Sequence, residues 1–157
     1  VARALILRQQ PVASDLRQVS TALKVVTDLE RIGDHASDIA ELILRIKSEH
    51  AYHIVKHLPV MAASANAMVH DAIEAFINQD LDSAMEIIER DDEVDTLFNQ
   101  VKDDVIHLLK SSPDQADQGI DLLMVAKYLE RIGDHAVNVC EWTQFSKTGA
   151  LKNVRIM

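Results

Sequence analysis

The chain has 157 residues, and because only 4% are aromatic, its core must be built mainly from aliphatic side chains and methionine. Its 16 basic and 25 acidic residues give a net charge of −9, which repels phosphate backbones and argues against nucleic-acid binding. The single cysteine, Cys140, excludes an intrachain disulfide. No apolar run reaches the ~18 residues of a membrane span and no signal peptide is visible, so we expect a cytoplasmic protein.

The first part of the chain is predicted to be helical. Residues 1–10 read as the end of a helix closed by Pro11, and because the sequence begins at Val1, in helical pattern and without Met, we expect its start to be missing. A long helix is predicted from Pro11 to about Ser48, since apolar residues recur three and four positions apart. Its stripe comprises Ala22, Val25, Leu29, Ile32, Ala36, Ile39, Ile43 and Ile46.

Three further helices are predicted over residues 57–79, 81–110 and 114–146, and Gly149 ends the pattern. Ser112 is the expected N-cap of the last helix and Pro113 its first residue. The stripe of the middle helix is aliphatic apart from one acid, Asp91. The apolar stripe of the first of these helices comprises Leu58, Met61, Ala65, Met68, Ala72 and Phe76, and that of the last comprises Leu122, Val125, Leu129, Ile132, Ala136 and Val139. The methionines and Cys140 are interpreted as packing residues.

An eight-residue segment occurs twice: Leu29–Ala36 is repeated without change as Leu129–Ala136, one hundred residues later. Such identity marks an internal duplication of one helical unit. Residues 1–50 would be the C-terminal part of a first three-helix unit that lacks its opening helix. Residues 57–146 would form a complete second unit, followed by a tail over residues 147–157.

Each copy carries two acids four positions apart, Glu30 with Asp34 and Glu130 with Asp134. Side chains at this spacing project from one helix face, where like charges repel. Asp91 and Asp95 form a third such pair on the preceding helix.

If the last two helices pack antiparallel, the second and third pairs stand at matching height, because Asp95 and Glu130 each lie about 17 residues from the turn. Four carboxylates would then need cations, and an all-oxygen set suits Mg²⁺, Mn²⁺, Ca²⁺ or iron.

A simpler interpretation is a solvated acidic face, with Lys127 and Arg131 shielding Glu130 and Asp134. His35 and His135 follow the acids directly, but one residue along a helix turns the side chain by about 100°, so both are interpreted as edge or packing residues. Gly33 and Gly133 are interpreted as close helix-contact positions, because glycine within a helix otherwise costs ~1 kcal/mol.

These motifs resemble the PhoU family, the regulators of bacterial phosphate uptake. The resemblance rests on residues 10–17 and 28–34, on the Ile88–Asp95 segment and on the second copy of the motif, and it extends along the whole chain. It implies an all-α fold of tandem three-helix bundles. It also implies metal ligands, which would be Asp91, Asp95, Glu130 and Asp134 in the second repeat and Glu30 with Asp34 in the first. The first site would be half-built, because the helix with its other acid pair is absent.

The resemblance further implies a regulator that is not an enzyme and that lowers phosphate uptake when phosphate is plentiful. Its partners would be the ATPase subunit of the phosphate transporter and the phosphate-sensing histidine kinase, and it would act as a homodimer. The metal would be iron, manganese, zinc or magnesium. Two other functions stay open: a helical-bundle di-metal enzyme of the ferritin-like type, whose Glu-x-x-His motifs we do not find, and a metal-free helical scaffold.

Overall fold

The computed structural model describes residues 13–149, which fold into six α-helices and one 3₁₀ turn. The helices are α1 (Ala13–Arg45), α2 (Glu49–Ile54), α3 (Leu58–Asn78), α4 (Leu81–Glu89), α5 (Asp91–Ser111) and α6 (Ala116–Thr148), with the 3₁₀ turn at Pro113–Gln115. The described part of the chain contains no strand, so the all-α prediction is confirmed. The helix end predicted over residues 1–10 and most of the predicted tail lie outside the described residues.

The predicted helix over residues 81–110 is interrupted at Arg90, which separates α4 from α5. The backbone of Arg90 stays in the right-handed helical region, and its N–H donates to the carbonyls of Glu86 and Ile87 at 3.2 and 3.1 Å. The interruption is therefore a tightened turn. Three acids, Asp91, Asp92 and Glu93, occupy the first turn of α5, where the helix dipole favours negative charge.

Ser112 occupies an N-cap position, as predicted, but it precedes the 3₁₀ turn and not α6 directly. Its side chain makes no capping hydrogen bond; instead its hydroxyl lies 3.2 Å from Nε2 of His50 on α2. Pro113 does open the turn, as predicted, but as a 3₁₀ turn that precedes α6. The short helix α2, where no helix was predicted, is capped by Ser48, whose hydroxyl accepts from the N–H of Ala51.

Helix α6 is the central element, because it packs against α1 on one side and against α3, α4 and α5 on the other. All six residues of its predicted stripe are buried. The stripe of α3 is buried except at Phe76, which is partly buried. These two stripes, with Val94, Val101, Val105 and Leu108 of α5, form most of the hydrophobic core.

The predicted stripe of α1 is only partly buried. Val25 and Ile46 are buried, whereas Ala22, Ala36 and Ile43 are exposed. Since α6 is the main element that packs against α1 among the described residues, only one side of the stripe is covered. None of the described helices combines the length and the apolar character that crossing a membrane requires.

Cys140 is fully buried on α6, and this burial, together with the neighbouring charge of Glu141, raises the pKa of its thiol to about 12. Since the thiolate is the reactive form, we expect no reaction with a disulfide reagent at pH 8 in the folded protein and one equivalent of reaction in denaturant. The absorbance of the thiolate that the reagent releases measures the reaction in the folded and in the denatured protein. Fast stoichiometric reaction of the native protein would contradict this burial.

Candidate metal centre

The groove between α5 and α6 brings one predicted ligand pair against the other. Gly133 of α6 is buried, and a methyl group placed on it would lie 3.6 Å from Oδ1 of Asp91 and 3.7 Å from the Val94 side chain. The Asp91 carboxylate therefore reaches α6 between Glu130 and Asp134. The predicted antiparallel packing and matching height are confirmed at this point.

The role predicted for the two glycines is confirmed only at Gly133. An added methyl group at Gly33, on the exposed face of α1, would meet nothing within 4 Å among the described residues. The two copies of the motif are thus identical in sequence and different in surroundings.

Glu130 is half-buried, and its Oε1 accepts a hydrogen bond from Nζ of Lys127 at 2.6 Å. The same ammonium group lies over the ring of Phe98 on α5, 5.5 Å from its centroid. Lys127 thus supplies the shielding that the simpler interpretation predicted for Glu130. A cation bound by Glu130 would have to displace or share this ammonium group.

The other predicted ligands flank this contact. Asp95 is exposed one turn after Asp91 on α5, and Asp134 is half-buried beside Gly133. Glu30 and Asp34 are both exposed on α1. The first pair and the second therefore lie in different environments.

The chemistry of the groove fits a hard cation. Asp91, Asp95, Glu130 and Asp134 offer only carboxylate oxygens, and Mg²⁺, Mn²⁺ and iron accept such ligands. The buried position of Asp91 Oδ1 against the α6 backbone is the structural observation that supports the fit. That these four acids are metal ligands stays a prediction.

A second candidate group, which sequence reasoning missed, lies on α3. His70, Asp71 and Glu74 can place one ligand atom each within 4.8 Å of one another, and none of them belongs to the predicted set. Their spacing of one and three residues is a signal that the sequence contains. Asp71 and Glu74 also line a surface pocket of about 230 Å³ between α3 and α4, together with Asp80, Glu86 and Arg90.

Asp71 already has a cationic partner, because Nη1 of Arg90 donates to its Oδ2 at 2.6 Å. This hydrogen bond, with a weaker one from His70, lowers the pKa of Asp71 below its ordinary value of 3.8. Since the contact joins residues 19 positions apart, on α3 and at the α4–α5 junction, helical periodicity could not reveal it. The group is therefore better explained as an ion pair than as a metal site.

Replacing Arg90 by alanine should raise the pKa of Asp71, as followed by NMR titration of its carboxyl carbon. The lowered pKa stabilises the fold above the unfolded pKa, and that contribution is lost as the pH falls through the folded pKa. Because Asp71 is 42% exposed, the contribution should stay below about 1 kcal/mol. Lys110→Ala, at the far end of α5, is the control. An unchanged pKa in Arg90→Ala would contradict the assigned cause.

Comparison with known proteins assigns the family. The sequence model described as the PhoU domain matches residues 1–43 and 58–143, and each range contains one copy of the duplicated motif. The chain belongs to the PhoU family. It is 43% identical over 146 residues to a phosphate-specific transport system accessory protein PhoU homolog of Clostridium acetobutylicum, covering 92% of this chain and 67% of the relative. A Borreliella burgdorferi homolog is 31% identical, with 96% and 70% covered.

Solved PhoU structures share the fold. The phosphate transport system regulatory protein PhoU from Streptococcus pneumoniae superposes with a TM-score of 0.82 at 31% identity, covering 97% of this chain and 70% of that one. PhoU from Pseudomonas aeruginosa gives 0.84 at 31% identity, with 95% and 72% covered. The chain thus spans about two thirds of the length of the PhoU proteins it matches, between 63% and 70% for three curated relatives.

Proposed function

We propose that this PhoU-family chain is a cytoplasmic, metal-binding adaptor that lowers phosphate uptake and phosphate-starvation signalling when phosphate is plentiful. Its partners would be the ATPase subunit of the phosphate transporter and the phosphate-sensing histidine kinase, and it would act as a homodimer. Support comes from family membership and from the names of its relatives, which describe accessory and regulatory proteins of phosphate transport. In this role the chain would not be an enzyme.

One structural observation carries the metal-binding part of this proposal: Asp91 Oδ1 lies against Gly133, inside the duplicated acid motif. In the proposed site, Asp91 and Asp95 from α5 and Glu130 and Asp134 from α6 would hold the metal, and Glu30 with Asp34 would serve the first repeat. The cation would neutralise carboxylates that otherwise repel one another across the groove.

A reporter strain tests the regulatory role. In a bacterium that lacks its own PhoU protein, expression of the full-length protein should restore repression of a phosphate-starvation reporter in phosphate-rich medium. Asp91→Asn with Glu130→Gln should lose most of this repression, whereas Asp92→Asn with Glu93→Gln, exposed acids on the same turn of α5, should retain it. Failure to repress, together with failure to co-purify with the transporter ATPase, would overturn the adaptor proposal.

The rival function, a ferritin-like di-iron enzyme, requires Glu-x-x-His motifs that face a bundle interior. At the corresponding third position this chain has Gly133, which has no side chain to supply a ligand atom. An oxygen-consumption assay with Fe²⁺ separates the two functions. We expect no sustained turnover, and repeated turnover per protein would favour the enzyme.

A further inference from the structure

The two copies of the duplicated segment contact each other across the α1–α6 interface. The rings of His35 and His135 are stacked, with centroids 5.5 Å apart. On one side, His35 also contacts the ring of Tyr128 at 5.6 Å; on the other, Nδ1 of His135 lies 2.9 Å from Oδ1 of Asp28. Position 28 corresponds to position 128 in the duplication. The contact therefore has approximate twofold symmetry.

The two sides of this contact differ in chemistry. On the Asp28 side, Oδ1 accepts from Nδ2 of Asn138 at 3.2 Å as well as facing His135, and all three residues are more than nine-tenths buried. A carboxylate oxygen can only accept, so Nδ1 of His135 donates in this hydrogen bond. On the other side, the tyrosine ring replaces the carboxylate. Within residues 13–149, a buried polar triad therefore exists on one side of the contact only.

Removing Asp28 would leave two buried donors, one on His135 and one on Asn138, without the acceptor that both use. Buried donors without partners are costly, whereas a satisfied buried network fixes one relative placement of the elements it joins. The triad thus fixes how α6 is rotated and placed along α1 at the turn that carries His135. This same turn carries Asp134, and Glu130 lies one turn earlier.

We propose that Asp28 is a positioning residue for the second acid motif: by holding His135 and Asn138 across the α1–α6 interface, it sets the orientation in which α6 presents Glu130 and Asp134 to α5. The proposal rests on the metal-binding function proposed above. It assigns to the first repeat a direct part in shaping the site of the second, so that the second site depends on a residue of the other unit.

Mn²⁺ titration of the full-length protein, followed by calorimetry, tests this role. Asp28→Ala should weaken Mn²⁺ binding by about tenfold. This is the lower end of the loss of metal affinity that follows removal of a group that orients metal ligands. Asp28→Asn retains the acceptor oxygen, so its affinity for Mn²⁺ should be close to that of the wild type. Val25→Ala, a buried position one turn earlier on α1, is the matched control for general destabilisation and should also leave Mn²⁺ affinity near the wild-type value. Equal weakening in Val25→Ala, or unchanged affinity in Asp28→Ala, would overturn the proposal.

Hydrogen exchange of the metal-free protein separates this proposal from the metal-binding one. If the wild type binds no Mn²⁺, the proposed metal function fails, and exchange at residues 130–138 then decides the positioning role alone. Faster exchange there in Asp28→Ala, but not in Asp28→Asn or Val25→Ala, supports it. Exchange that changes equally in Asp28→Ala and Val25→Ala contradicts it.

Discussion

Replacing Gly133 by leucine should lower the free energy of unfolding by about 1–3 kcal/mol, because the added side chain must enter a contact that has room for a single methyl group. A methyl group there would already lie 3.6 Å from Asp91 Oδ1 and 3.7 Å from Val94. Gly133→Ala should be tolerated and gain up to about 1 kcal/mol from its greater helix propensity. Urea unfolding of the metal-free protein measures both changes.

The duplication supplies the matched control. Gly33 occupies the same position in an identical segment, but nothing lies within 4 Å of its added methyl group among the described residues. Gly33→Leu should therefore leave stability unchanged or raise it slightly. If Gly133→Leu proved as stable as Gly33→Leu, the close approach of α5 to α6 would be wrong.

Combining Asp91→Ala with Glu130→Ala should abolish metal binding in the second repeat, because it removes one carboxylate from each side of the groove. Elemental analysis of the purified full-length protein should show this loss. Mn²⁺ at one hundred times its dissociation constant should stabilise the wild type by about 2.7 kcal/mol, and the double variant should show no such gain.

Two controls make that result specific. Asp92→Ala with Glu93→Ala removes the same charge from exposed positions on the first turn of α5 and should keep the metal. Asp71→Ala with Glu74→Ala removes two members of the α3 group and should keep it too. Full metal content in the Asp91 and Glu130 variant would overturn the ligand assignment.

Patterns within single helices were predictable, as was one contact between two helices joined by a short turn, whereas contacts between segments farther apart were not. The stripe of α6 was correct at every position because the helices packed against α6 cover the whole stripe. The same spacing of three and four residues in α1 predicted the buried positions only in part. Periodicity identifies the apolar face of a helix but not which element covers it. Asp91 was placed against the second motif by counting residues from a turn, which a short antiparallel connection permits.

The Asp28 triad could not be found in this way. Asp28 and His135 lie 107 residues apart, and their contact depends on where α1 crosses α6. His135 was correctly predicted to be a packing residue, but its polar partner was missed. A comparison of the two copies contained one signal: position 28 is aspartate where position 128 is tyrosine.

The most direct test of the central claim is a crystal structure of the full-length protein grown with Mn²⁺, with the metal located by anomalous scattering. We predict a peak between α5 and α6 with ligands from both helices, Asp91 and Glu130 among them. A peak at His70, Asp71 and Glu74 instead, or no peak near Gly133, would contradict the proposed centre.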